Sequence, residues 1–265
     1  MAPTEPSPDR LEPGGHALAE VTSPPPAIRP VPRHALVVAA GDVPARAELD
    51  AAWPGWADAF DLLIAADGGL DRARGLGLAV DVLVGDLDSL GPGLARAAAA
   101  DGVAIRRARP DKDESDTELA LLAAAELGAT QVVVLGALGG ERLDHALANV
   151  WLLAHPALAD REVVLLDRGA RVSLITAPGP DGRPVTRTLD GPVGSIVSLL
   201  PFGGDAVGVT TRGMRYPLAG ETLATGPARG LSNERAAARA SVTVERGRLL
   251  VVESASGASA LSSRS

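Results

Sequence analysis

Short apolar runs of strand type alternate with helical stretches from His34 to about Asp167, and this alternation limits the fold more than any other feature of the chain. HALVVAAG, from His34, ends in Gly41. DLLIAA ends in Asp67-Gly68-Gly69, DVLVGDLDS starts at Asp81, VAIRRA covers 103–108, TQVVVLGA leads into Gly139-Gly140, and EVVLLD closes the series near Asp167. Helical spacing fills the intervals at roughly 45–58, 70–77, 91–100, 117–128 and after Gly140. Such alternation predicts a parallel sheet with helices on both faces. In that architecture every loop leaving a strand lies at the same carboxyl edge. The loops at 67–69, 85–89, 111–116 and 139–140 are therefore expected on one rim.

The chain around this half is different. Residues 1–33 hold nine prolines without hydrophobic periodicity and are expected to be a disordered tail; 254–265 is a second polar tail. The α/β unit is placed at 34–176. From 185 to 253, short β-type runs separated by Gly and Pro predict a small antiparallel β domain with no long helix. Aromatic residues make up 2% of the chain, so the core has to be Ala, Val and Leu. The sequence has no Cys, which excludes disulfides, thiolate nucleophiles and Cys-ligated zinc. With a net charge of −8 and no Lys/Arg cluster, a nucleic-acid surface is not expected. Neither a membrane span nor a signal peptide is visible, and a soluble cytoplasmic protein is the expectation.

Two acidic bursts lie on the expected rim. In GDLDS, at 85–89, Asp86 and Asp88 are two residues apart, and extended backbone would point both to one side, where they can share a cation. An acidic turn after a buried strand explains the same residues without a ligand. In DKDESD, at 111–116, Ser115 and Glu118 form the pattern of a helix-capping box, which accounts for Ser115 and one Asp. It does not account for Asp111, Asp113 and Asp116 together with Lys112. The functional reading makes Asp116, with Asp111 or Asp113, the other side of a Mg²⁺ site. Lys112 is the only lysine among 25 Lys and Arg residues, and a compact ammonium there suits a phosphate.

In the helix after Gly139-Gly140, Leu143, Leu147, Val150 and Trp151 share a face and are expected in the core. Arg142, His145 and Asn149 share another, where an anionic head group would meet Arg142 and the helix N-terminus. Asp144 would orient a substrate amine, and a structural role for His145 stands as the alternative. Neither a P-loop nor the dinucleotide glycine fingerprint occurs, and G-x-S-x-G and H-E-x-x-H are missing as well.

Six segments in order, ADGG at 66–69, GDLDS at 85–89, DKDESDTE at 111–118, GGERLDHALAN at 139–149, TTRGMRYPL at 210–218 and GLSNE at 230–234, resemble the thiamine pyrophosphokinases. The resemblance implies a Rossmann-like α/β catalytic domain followed by a β-sandwich-like domain. It implies a homodimer with the active site between subunits, and transfer of diphosphate from ATP to thiamine with release of AMP. By position it puts Mg²⁺ on Asp86, Asp88 and Asp116. The nucleotide and substrate would meet Asp67, Gly68, Gly69, Ser89, Asp111, Lys112, Asp113, Ser115, Arg142, Asp144, His145 and Asn149, and thiamine would meet Ser232 and Asn233. Ser115 stands where the family more often has Thr. A non-catalytic thiamine- or nucleotide-binding relative on the same scaffold is the alternative.

Overall fold

The computed structural model describes residues 18–21, 34–58, 60–87, 92–109 and 111–255. The α/β half runs β2 (His34–Val38), α1 (Arg46–Ala52), β3 (Leu62–Ala66), α2 (Gly69–Gly75), β4 (Val82–Gly85), α3 (Pro92–Ala100), β5 (Ala104–Ala108), α4 (Asp116–Glu126), β6 (Gln131–Leu135), α5 (Leu143–Leu152) and β7 (Glu162–Leu166). It is preceded by β1 (Leu18–Val21). There follow β8 (Ala170–Ala177), β9 (Val185–Asp190), β10 (Ile196–Pro201), β11 (Ala206–Arg212), β12 (Ala219–Leu223), β13 (Asn233–Glu234), β14 (Arg239–Val244) and β15 (Gly247–Ser254).

Strands β5-β4-β3-β2-β6-β7 lie side by side and parallel, as the alternation predicts. The β2, β3 and β4 runs are buried on consecutive apolar residues because both faces are covered there. Leu36, Val38, Leu49, Leu63, Ala73 and Leu135 pack together, putting α1 and α2 on one face, with α3 beside them through Ala98 against Leu83. On the other face α4 buries Leu119, Ala120, Leu121, Ala123 and Ala124 against Val37, Ile64 and Val134. Each fully buried Leu contributes about 1.5–3 kcal/mol. The order makes β2 the switch strand: the chain adds β3, β4 and β5 on one side of it, then crosses to add β6 and β7 on the other.

The sheet is mixed, which corrects the expectation of a purely parallel one. A three-residue connection after β7 turns the chain back, closed by Asp167 N–H donating to the Ala170 carbonyl at 2.9 Å, so that β8 pairs antiparallel with β7. β15, β10 and β13 continue the same sheet, to eleven strands in all. The change of sequence pattern near residue 177 is therefore not a break in the sheet. A separate four-stranded sheet, β12-β11-β14-β9, packs Leu189, Val209, Val242 and Val244 onto Ile175, Val197, Leu199 and Val251 of the large one. The expected β-sandwich forms in this way, with one of its layers shared with the α/β half. Within the segment read as an unstructured tail, β1 adds an antiparallel strand to the edge of β5. The other residues of 1–33, and 256–265, lie outside the described residues. Among the described residues no helix is long and apolar enough to cross a membrane.

Candidate functional site

β4 ends at Gly85, and a Cβ there would lie 3.1 Å from Asp67 Cβ and 3.4 Å from Asp116 Oδ1. Three loops, after β3, β4 and β5, therefore meet at one glycine. Asp67 is buried in a left-handed conformation, φ +47°, and its N–H donates to the Val84 carbonyl at 2.8 Å. Two residues on, a Cβ on Gly69 would stand 1.9 Å from the Val38 carbonyl oxygen, so only glycine lets α2 start this close to β2.

Asp86 and Asp116 approach each other across this point, and the ammonium of Lys112 fills the gap. Its Nζ hydrogen-bonds Asp116 Oδ1 and lies 3.8 Å from Asp86 Oδ2, on a side chain only 8% exposed. Asp116 opens α4, where Ser115 caps the helix by accepting from Glu118 N–H at 3.1 Å. Capping thus accounts for Ser115 and leaves Asp116 available to the cluster. Asp111 and Asp113 are exposed. Asp88 and Ser89 lie outside the described residues.

Loops from β2 and β6 form a second contact at the switch point. A Cβ on Gly41 would stand 2.3 Å from the Gly136 carbonyl oxygen and 2.6 Å from that of Gly139, and one on Gly139 would touch Asp42. Gly41 and the exposed Asp42 thus belong to the rim and were missed in the sequence reading. The signal was present, a Gly-Asp pair directly after the first strand of the α/β half. At the start of α5 the Arg142 guanidinium grips Asp144 with two bonds, Nε to Oδ1 at 2.9 Å and Nη2 to Oδ2 at 2.5 Å. That grip holds the Asp144 carboxyl well below the usual range and raises Arg142. Both groups, and His145, are exposed. Three strand spacings separate β4 from β6, roughly 14 Å, so the acidic and glycine-rich ends of the rim suit one extended ligand.

α5 is turned differently from the expectation. Leu143 is 71% exposed, Leu147 51% and Trp151 62%, whereas Asn149 is buried and its amide donates to the Ala137 carbonyl at 2.9 Å. That bond ties the Asn149 side of the helix to the loop after β6, with Leu143, Leu147 and Trp151 outward while Val150 packs on the core as expected. Asn149 therefore builds the rim from below.

In the β half, Asn233 is buried and engaged through both ends of its amide: Oδ1 accepts from the N–H groups of Tyr216 at 3.0 Å and Glu234 at 2.9 Å, and Nδ2 donates to the Tyr216 carbonyl at 2.6 Å. It folds the 214–216 loop onto β13. Ser232, exposed and at φ +57°, is the residue this arrangement presents, with its N–H donating to Ser198 Oγ at 3.0 Å. Within one chain the structure does not bring Ser232 to the acidic rim, since β13 lies eight strand positions from β4, roughly 38 Å along the sheet.

The donor set of Asp86 and Asp116 fits a hard divalent cation: two carboxylates from separate loops, already holding a positive group between them. Among the described residues no three His, Asp or Glu side chains converge as a metal cluster.

Residues 55–165 match the family model "Thiamin pyrophosphokinase, catalytic domain", and 185–249 match "Thiamin pyrophosphokinase, vitamin B1 binding domain". A thiamine pyrophosphokinase of Bacillus subtilis is 26% identical over 200 residues, 76% of this chain and 90% of that protein. The solved structure of thiamine pyrophosphokinase from Bacillus subtilis superposes with a TM-score of 0.70 at 25% identity, covering 84% of this chain and 99% of that one. Yeast thiamin pyrophosphokinase shares the fold, with a TM-score of 0.65 at 15% identity, over 85% and 87% of the two chains. With both domain models matched in order, and the same architecture in the solved structures, the chain belongs to the thiamin pyrophosphokinase family of enzymes.

Proposed function

We propose that the protein is a Mg²⁺-dependent thiamine diphosphokinase that moves diphosphate from ATP to the thiamine hydroxyl and releases AMP. The observation that carries this reading is the ammonium of Lys112 seated between Asp86 and Asp116 on the rim of the parallel sheet. Attack of the hydroxyl on the β-phosphorus asks the protein for alignment and charge neutralisation more than for covalent chemistry. Asp86, Asp88 and Asp116 would hold Mg²⁺, which when bound offsets charge on the phosphate oxygens. Lys112 supplies a fixed cation for a phosphate oxygen from the buried side of the rim, and Arg142 offers a second from the exposed side. Gly68 and the exposed Gly140 leave room for the ligand close to the backbone.

A homodimer completes the site in this reading. Ser232 lies too far from the acidic loops of its own chain, so a second copy has to supply that wall. Exposed apolar residues lie in both places: Leu143, Leu147 and Trp151 beside Arg142, and Tyr216 and Leu231 beside Ser232. A cytoplasmic location belongs to the same proposal, and a chain without cysteine has no disulfide to lose there.

Incubation with ATP, Mg²⁺ and thiamine, followed by identification of the nucleotide product, tests the reading. AMP with thiamine diphosphate supports it. ADP would mean a monophosphate-transferring kinase, and no product would mean a binding relative.

A further inference from the structure

A second concavity lies away from the acidic rim, on the face of the sheet that carries α1. The crossovers place α1, α2 and α3 over β2 to β5 on this face, while α4 and α5 take the other. Over β6 and β7, only the turn after α1 reaches across, and Val133 and Val164 stay half-buried where a parallel sheet ordinarily carries a helix. The resulting cavity has a volume of about 630 Å³, in the range of small-molecule sites. Trp53 forms one wall, with its indole N–H donating to the Asp167 carbonyl at 2.7 Å, and the loop between β9 and β10 forms the other.

Part of the lining is charged. Glu253, with its side chain 5% exposed, is shared by two guanidiniums: Arg171 Nε donates to Oε1 at 2.7 Å, and Arg235 Nη2 donates to Oε2. Arg235 is 2% exposed and also donates to the Leu189 carbonyl at 2.6 Å. Within this cluster two guanidiniums share one carboxylate, and the Asp190 carboxylate also acts on Arg235, so the four charged groups of the lining balance. Asp190, which also lines the cavity, has Arg239 as its own partner at 3.0 Å. Arg235 and Glu253 are buried and satisfy each other, whereas the Arg171 side chain is 34% exposed and lines the cavity. Arg171 is the group placed to meet an anion. Its guanidinium lies 5.5 Å from the centre of the Trp53 ring, its Nε is fixed by Glu253, and its Nη groups take no hydrogen-bond partner among the described residues.

We propose that this cavity is a second ligand site, built for a flat apolar ring bearing one carboxylate: the ring over Val133 and Val164 beside Trp53, the carboxylate on the Nη fork of Arg171. A carboxylate matches the planar pair of donors that the Arg171 fork presents. The inference is independent of the reaction proposed above.

The chain has three tryptophans, so ¹H–¹⁵N spectra of the full-length protein give three indole signals that report on place as well as affinity. Titration with 2-naphthoate is expected to shift the Trp53 signal saturably, with a midpoint of about 1 mM or below. Acetate and the neutral 2-naphthalenemethanol should bind at least tenfold more weakly. Arg171→Met should weaken 2-naphthoate at least tenfold and leave the neutral analogue unchanged. If that variant loses its native spectrum, Arg171→Lys, which keeps the charge and loses the fork, should weaken 2-naphthoate about threefold or more. A shift confined to Trp151, a neutral analogue as tight as the acid, or unchanged affinity in the arginine variants would overturn the proposal.

Discussion

The Lys112 ammonium lies 3.8 Å from the Asp86 carboxylate while hydrogen-bonding Asp116, so the chain's single lysine holds together two loops that would otherwise repel. Replacing it tests both its structural and its catalytic use. Lys112→Met should lower kcat about 10²-fold or more. It should also cost about 1 kcal/mol of stability, a modest figure because both carboxylates keep contact with water, or roughly 2–4 °C in Tm. Mg²⁺ should raise the Tm of the variant more than that of the wild type, since a cation then replaces the lost ammonium. Equal Mg²⁺ responses in calorimetry would remove Lys112 from the cation site.

Asp86→Asn and Asp116→Asn are nearly isosteric and should leave the circular dichroism spectrum intact. Each is expected to reduce turnover by orders of magnitude, because the acidic pair would lose one of its charges. Near wild-type turnover in both would sink the metal assignment.

Asp144 makes a pH prediction. The Arg142 hydrogen bonds, and secondarily its charge, hold the carboxyl below its ordinary value. A depressed folded-state pKa adds stability at pH above the unfolded value, near 3.9, and that contribution is lost as pH falls through the lower folded value. Carbon-13 titration of the side-chain carboxyl should find Asp144 still ionised at about pH 3, and Arg142→Ala should return it to the usual range. The pair is exposed, so salt should move the midpoint upward. An ordinary midpoint in the wild type would refute the grip.

Leu147→Glu places a charge in the middle of the exposed α5 stripe without touching the core. Analytical ultracentrifugation is expected to show a dimer for the wild type and a monomer for the variant, with activity lost in parallel and the fold unchanged. A variant that stays dimeric would move the interface elsewhere.

Much of the candidate site was legible because local rules govern it. Ser115 reads as a cap from its spacing to Glu118, and Gly69 marks a loop where two backbones pack too closely for a Cβ. The parallel order of β2 to β7 follows from strand–helix alternation and the handedness of crossovers, and it carries the rim loops with it. Asn149 shows where such reading stops. Helical spacing told which residues share a face, but a buried hydrogen bond from the Asn149 amide to the Ala137 carbonyl fixes how the helix is turned, with Leu143, Leu147 and Trp151 outward.

From the sequence alone come the strand–helix grammar, the loops that gather at the carboxyl edge and the acid-rich composition of two of them, since each depends on residues close in the chain. Tertiary structure alone decided that β8, β15, β10 and β13 extend the same sheet, that Lys112 spans Asp86 and Asp116, and that Glu253 is shared by Arg171 and Arg235. Most of these contacts join residues far apart in sequence, and whether they form depends on which backbones pair and how deeply each charge is buried, which no local pattern records.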